Sequence, residues 1–132
     1  MTALTFTLKS EPQQGVDVSP LTPDALSGLT TVDIRALTLQ TGNRQARVDE
    51  LFEISGDDTN LIIFAKATPK LNFIGKGMTQ GDIEVQGNAG SYLGMQMKGG
   101  RITVKGNIGA YGACELRNGH ILIHANAGDF LG

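Results

Sequence analysis

One short pattern decides the expected fold, and it occurs as Gly87-Asn88-Ala89-Gly90, Gly106-Asn107-Ile108-Gly109 and Ala125-Asn126-Ala127-Gly128. Each copy begins nineteen residues after the one before it. A fixed period near twenty residues is typical of a solenoid, in which each repeat forms one turn of a coil stacked on its neighbour. The period therefore predicts the architecture first, and the function only through it.

Two apolar positions recur in these units, two residues apart. The first is held by isoleucine and the second by valine or isoleucine: Ile83, Ile102 and Ile121, then Val85, Val104 and Ile123. A spacing of two residues is that of a strand with one face buried. Subtracting nineteen once more matches Phe64 with Ile83 and Phe73 with Tyr92, so we expect the repeats to begin near Leu61.

The alternative of a helical solenoid is disfavoured by the glycines, of which the chain holds 18. Glycine is costly inside a helix but suits sharp corners, where a positive φ or a close backbone approach is needed. We therefore predict an all-β fold: a right-handed parallel β-helix with 19-residue rungs, preceded by a small cap of strands and short helices. Residues 1–60 would form the non-repeating cap, and residues 61–132 the β-helix, ending in mid-rung.

The first sixty residues lack the period and predict short mixed elements. Apolar residues alternate over 4–8, which favours a strand with Leu4, Phe6 and Leu8 on one face. Thr22 as the cap, Pro23 in the first turn and Gly28 as the stop predict a very short helix. The remaining elements expected here are a helical turn over 31–36 and strands over 37–39 and 52–54. This segment is expected to lie across the first rung and shield its edge.

Composition excludes several classes of function. The 132 residues fit one domain, and the net charge of −2 provides no basic stripe for nucleic acid. Cys114 is the only cysteine, so an internal disulfide or a four-cysteine metal site is excluded. There is no run of 18 apolar residues and no signal-like amino terminus, which predicts a cytoplasmic protein that does not bind membranes.

No set of residues has the spacing of a catalytic site. The adjacent carboxylates of Asp49-Glu50 and Asp57-Asp58 suit solvated turns, and Gly75-Lys76-Gly77 lacks the glycine spacing of a phosphate loop. His120 and His124 are four residues apart, but on a strand they would point outward about 13 Å apart and would not form a metal pair. We therefore predict no catalytic, cofactor-binding or metal-binding residue in this chain.

The glycine spacing resembles that of a known family. Gly87-x-x-Gly90-x-x-x-Gly94, followed by Met-Lys-Gly-Gly-Arg-Ile over 97–102, is similar to the C subunit of formylmethanofuran dehydrogenase and of its bacterial counterpart, the formyltransferase/hydrolase complex. The large subunit of glutamate synthase carries similar repeats in its carboxy-terminal domain. The leader residues 42–44 and 49–56 resemble the C subunit, which separates the two families. Gly112-Ala113 and Ala125 depart mildly from the pattern, and family members are about twice as long.

The resemblance implies a non-catalytic, β-helical subunit of an oxidoreductase or formyl-transferring complex in one-carbon metabolism. The pathway would be formaldehyde oxidation in methylotrophy or carbon dioxide reduction in methanogenesis. Amidohydrolase-like and formyltransferase-like partner subunits would bind the methanofuran-type formyl carrier and the metals. The alternatives left open are a glutamate-synthase-like β-helix domain and a free-standing β-helix binding module. Since Leu122 would face outward on the last rung, the isolated chain is also expected to self-associate there.

Overall fold

A computed structural model describes residues 2–10, 12, 14–68, 70–106 and 120–123. This part of the chain includes most of the leader and three strands that carry the nineteen-residue repeat. The predictions for Asn107, Cys114, His124 and Asn126 lie outside these residues, as does the expected end of the last rung.

The described residues form ten strands and three short helices. The strands are β1 (Ala3–Leu8), β2 (Val16–Asp17), β3 (Thr38–Thr41), β4 (Arg44–Arg47), β5 (Phe52–Ser55), β6 (Asp58–Ala67), β7 (Leu71–Asn72), β8 (Asp82–Gly87), β9 (Arg101–Val104) and β10 (His120–Ile123). The helices are α1 (Pro23–Leu26), α2 (Thr31–Ala36) and α3 (Val48–Leu51). One sheet has six strands in the order β10-β9-β8-β6-β1-β5, and the other has four in the order β4-β3-β2-β7.

The prediction of an all-β, right-handed parallel β-helix with 19-residue rungs is wrong. The fold is mixed α/β, with two mixed sheets and a few short helices. β1 runs parallel to β6 but antiparallel to β5, and β3 is antiparallel to both of its neighbours. The physical reason lies in the leader, whose strands have apolar faces of their own and bury them by joining the sheets. The leader is therefore built into the sheet beside β6 instead of lying across its end. The division at residue 60 falls inside β6 and stays a prediction about folding units.

The nineteen-residue spacing governs the pairing of three strands. Asp82 pairs with Arg101, and Arg101 with His120, so β8, β9 and β10 lie parallel in that register. Between β6 and β8 the register is different, because Ile62 pairs with Ile83, and Phe64 with Val85. The match of Phe64 with Ile83 that the sequence predicts is therefore wrong by two residues.

An irregularity at the end of β6 accounts for one of these two residues. The pairing of β6 with β8 shifts between Ala65 and Ala67, and Lys66 between them has a φ of 57°. A bulge of this kind adds residues to one strand without moving its partner. Beyond it the nineteen-residue spacing returns, since the N–H of Gly90 donates to the carbonyl of Leu71 over 2.8 Å.

Both sheets contribute to one hydrophobic core. Alternate residues of β8 and β9 are buried, with Ile83 1%, and Ile102 and Val104 0% exposed. The same cluster contains Leu39 of the four-stranded sheet and Leu21 from the loop before α1. A methyl group added at Gly75, whose φ is +74°, would collide with the Cδ1 of Ile102. Ile102 therefore fills space that glycine in a neighbouring turn leaves open.

Two of the three short helices, α1 and α2, begin where the sequence predicts. The hydroxyl of Thr22 accepts a hydrogen bond from the N–H of Ala25, which caps α1. Thr30 and Asp33 form a capping box at α2, which satisfies backbone donors at the start of that helix. The sequence did not indicate α3. None of the helices in the described residues is long and apolar enough to cross a membrane.

A polar clasp joins α1 to the loop before β8. The carboxylate of Asp24 accepts hydrogen bonds from the backbone N–H of Thr79, over 3.0 Å, and from its hydroxyl. Burial alone would raise the pKa of Asp24, but the hydrogen bonds from Thr79 and the backbone of Gln80 outweigh it and lower that pKa. The clasp therefore favours the charged form of Asp24 in the folded protein.

We expect Ile102→Ala to lower the free energy of unfolding by about 2–5 kcal/mol, because the truncation leaves a cavity in the core. Its matched control is Thr103→Ala in the same strand, where the side chain is only half-buried. The control should cost less than about 1 kcal/mol. Urea unfolding followed by circular dichroism measures both values. Equal losses from the two variants would contradict the assignment of Ile102 to the core.

We expect Asp24→Asn to lower the free energy of unfolding by about 1 kcal/mol at neutral pH. Because the folded pKa of Asp24 is lowered, its contribution is present above the ordinary value near 3.8 and is lost as the pH falls through the folded value. The difference in the free energy of unfolding between wild type and variant should therefore be constant above about pH 5 and disappear in stronger acid. Urea midpoints across a pH series test this, with Asp82→Asn as the exposed control. A gap that stays constant into strong acid would contradict it.

Candidate functional site

The carboxylates of α3 are engaged in separate ion pairs. Both Nε and Nη2 of Arg47 donate to the two carboxylate oxygens of Asp49 over 3.0 Å. Arg44 Nη1 lies 3.4 Å from Glu50 Oε2 in a second pair. Hydrogen bonding from Arg47 lowers the pKa of Asp49, and Asp49 in turn raises the pKa of Arg47. An aspartate held in its charged form in this way is not poised to transfer protons near neutral pH.

Asp57 and Asp58 also have different partners, although they are adjacent. Asp57 Oδ1 accepts from the backbone N–H of Thr2 over 3.1 Å, and Asp58 Oδ1 accepts from that of Asn60 over 3.0 Å. Each carboxylate thus satisfies a backbone donor of a nearby turn or strand. They do not form the converging pair that acid–base catalysis would need.

No metal centre is evident in the part of the chain that the structure describes, where no three histidine, cysteine, aspartate or glutamate side chains come together. The prediction that this chain has no catalytic, cofactor-binding or metal-binding residue stays a prediction.

A polar cleft of about 520 Å³ lies between the segment after β1, the β3–β4 turn and α3. It is lined by Ser10, Pro12, Gln14, Thr41, Asn43, Arg44, Glu50 and Leu51. Among the described residues that line it, the charged side chains are Arg44 and Glu50, which are paired with each other. The described lining residues therefore offer hydrogen-bonding groups to a polar ligand or polypeptide, and among them no nucleophile has a base beside it.

A second cleft of about 380 Å³ opens on the other side of α3, beside the edge strand β5. It is lined by Thr7, Lys9, Arg35, Asp49, Phe52, Glu53, Ile54 and Ser55. Lys9 Nζ donates to the backbone carbonyl of Asp49 over 2.8 Å, which ties the end of β1 to α3. The two clefts therefore lie on either side of α3, and the second also borders β5 at the edge of the six-stranded sheet.

Two half-buried aromatic rings stack on each other, one in the turn after β7 and the other in the turn after β8. The rings of Phe73 and Tyr92 are 5.0 Å apart between centroids and inclined by only 5°. Lys76 Nζ lies 5.2 Å from the centroid of the Phe73 ring, within reach of a cation–π contact. Met95 occupies the position nineteen residues after Lys76, and its carbonyl accepts from Gly77 N–H over 2.9 Å. We call Phe73, Lys76, Tyr92 and Met95 the aromatic patch.

The backbone at the two rings is unusual. Phe73 and Tyr92 have φ values of 63° and 61°, in the left-handed region that bulky residues rarely adopt. Such a conformation costs about 1–2 kcal/mol for a residue with a Cβ, whereas glycine or asparagine tolerates it. Parallel stacking of the rings returns about 0.5–1.5 kcal/mol. The turn therefore needs a positive φ at these positions but gains little from aromatic residues.

The sequence contained the signal for this patch, since Phe73 and Tyr92 align at nineteen residues. That alignment did not predict a half-buried stack, because the positive φ of both residues cannot be read from spacing. From the sequence alone, Lys76 stands out only within the glycine pair that suggests a phosphate loop. In the structure Gly75 and Gly77 form a turn, with φ values of 74° and 70°, and Lys76 lies against Phe73 instead.

Comparison with curated proteins gives relatives of one kind, although no model of a known protein family matches the chain. The chain is 34% identical over 89 residues to the C subunit of the formyltransferase/hydrolase complex Fhc of Methylorubrum extorquens, covering 67% of this chain and 34% of that protein. It is 33% identical over 95 residues to the C subunit of the tungsten-containing formylmethanofuran dehydrogenase 2 of Methanococcus maripaludis. That alignment covers 70% of this chain and 35% of the relative.

A solved structure agrees with these relatives. A chain in the crystal structure of the FhcABCD complex from Methylorubrum extorquens, determined with methylofuran, superposes with a TM-score of 0.86 at 31% identity. The superposition covers 92% of this chain and 46% of that one. The chain spans about a third of the length of the curated relatives it matches. The resemblance read from the sequence is confirmed: this chain belongs with the C subunits of the formyltransferase/hydrolase and formylmethanofuran dehydrogenase complexes and is their homologue.

Proposed function

We propose that the chain is a non-catalytic component of an assembly of several subunits in one-carbon metabolism, in the role of the C subunit. The observation that carries this proposal is the superposition with the FhcABCD complex over 92% of the chain. That likeness extends through the leader as well as the repeating strands, so it rests on more than a shared repeat. The solved relative belongs to an assembly of several subunits, which supports partner subunits for this chain too.

The described side chains support a scaffold role. The carboxylates of Asp24, Asp49 and Glu50 hold turns and helices in place through hydrogen bonds and ion pairs. Two sheets that share one core provide a rigid body, and its surface carries two polar clefts and the aromatic patch. Rigid elements of this kind suit a subunit that positions others.

The partners that we propose are amidohydrolase-like and formyltransferase-like subunits. These partners would bind the methanofuran-type formyl carrier and the metals, and the assembly would work in the cytoplasm. The relatives include both a formyltransferase/hydrolase complex and formylmethanofuran dehydrogenases, so the proposal covers either direction of the pathway. A glutamate-synthase-like domain and a free-standing binding module stay alternatives that the same experiment separates.

We expect the affinity-tagged chain, expressed in its native host, to co-purify with amidohydrolase-like and formyltransferase-like polypeptides that mass spectrometry identifies. The eluted complex should release formate from a formylated furan carrier. The purified chain alone should not do so, with or without divalent metal.

Two controls sharpen this test. Ile102→Asp places a charge in the core and should abolish co-purification by unfolding the chain, whereas exposed Lys105→Glu should leave the fold intact. Recovery of a flavin and iron–sulfur enzyme would favour the glutamate synthase alternative. A folded chain that elutes without any partner, or that turns over the carrier by itself, would contradict the proposal.

A further inference from the structure

The aromatic patch carries two features that point to recognition. Phe73 and Tyr92 keep aromatic side chains at positions where asparagine or glycine would adopt the same backbone without strain. Both residues are half-buried, so each keeps some surface in contact with solvent. Strained residues that the turn itself does not require are concentrated at ligand clamps and binding surfaces. The stacking also fixes both rings in one orientation, so less side-chain entropy is lost when a partner binds.

The two segments that carry the patch contain basic residues but no acidic ones. Residues 68–81 and 87–100 contain Lys70, Lys76 and Lys98 but no aspartate or glutamate, in a chain that has 13 acidic and 11 basic residues overall. Lys76 is exposed and lies against the ring of Phe73. A surface with fixed rings and an excess of positive charge complements an acidic partner.

We propose that the aromatic patch is a docking surface for an acidic segment of a partner polypeptide. The inference rests on the proposed function, because it assigns this surface to one of the partner subunits. A carboxylate of that segment would pair with Lys76. An aromatic or aliphatic side chain beside it would contact the open edges of Phe73 and Tyr92 and the side of Met95. Since one face of each ring already contacts the other ring, the partner does not insert between them.

The test is a titration of the isotope-labelled full chain, followed by amide and methyl NMR shifts. The probe is a pentapeptide with a central phenylalanine flanked by aspartate and glutamate. A peptide with lysine and arginine in the flanking positions is its counterpart. We expect saturable shifts at Phe73, Lys76, Tyr92 and Met95 with the acidic peptide, weakening as salt is raised, and none with the basic peptide.

Three variants make the result specific. Lys76→Glu and Tyr92→Asn should each weaken binding of the acidic peptide by about tenfold or more, and asparagine keeps the positive φ so that the turn still forms. Lys105→Glu makes the same charge change on the sheet and should leave the apparent Kd within about twofold. Unchanged affinity in both patch variants would overturn the proposal. So would equal weakening by all three, which would indicate general attraction to the lysines.

The assembly test separates this inference from the proposed function. If Lys76→Glu and Tyr92→Asn lose a partner that wild type and Lys105→Glu retain, both stand. If all four proteins recover the same partners, the proposed function stands and the docking surface is wrong. If wild type itself recovers no partner, the proposed function fails whatever the peptide shows. Shifts at the patch that depend on the concentration of the chain alone would mean that a second copy occupies it, which also overturns the proposal.

Discussion

The fold depends on the contact between three phenylalanine rings that lie far apart in the sequence. Phe6 stacks on Phe64 with centroids 5.6 Å apart, and Phe52 meets Phe6 edge-on at 5.8 Å. All three are buried, and they come from β1, β6 and β5, which are neighbours in the six-stranded sheet. This cluster joins the leader to the first repeating strand. Without it, β6 would present an unpaired apolar edge.

The pairing of β6 sets the register of the later strands and turns. Ile62 and Phe64 pair with Ile83 and Val85, and the bulge at Lys66 removes one of the two residues by which this register departs from nineteen. The turns after β7 and β8 then superimpose, which places Phe73 beside Tyr92. The geometry of the aromatic patch therefore depends on the register in which β6 pairs with β8. A shift of two residues at β6 without the bulge would separate the two rings.

Local patterns in the sequence predicted local structure well. The strand over 4–8, the capped helices and the parallel pairs from Asp82 onward are all present, because alternation and caps act over a few residues. The global fold class was wrong. A periodic pattern says which strands repeat, but not that β1 enters the sheet between β6 and β5. Nor does it show a bulge, since Lys66 carries no turn signal. The aromatic patch could not be predicted for a similar reason, because the positive φ of Phe73 and Tyr92 is not encoded in the spacing.

The central claim is that leader and repeating strands form one cooperative unit through Phe6. Native-state hydrogen exchange of Phe6→Ala tests it most directly, with exposed Val32→Ala as the control. The truncation should cost about 3–5 kcal/mol and lower amide protection in β8 and β9 as much as in β5. The control should change neither. Protection that falls in β1 and β5 but stays unchanged over 82–104 would show that the repeating strands are stable without the leader, and would contradict the account.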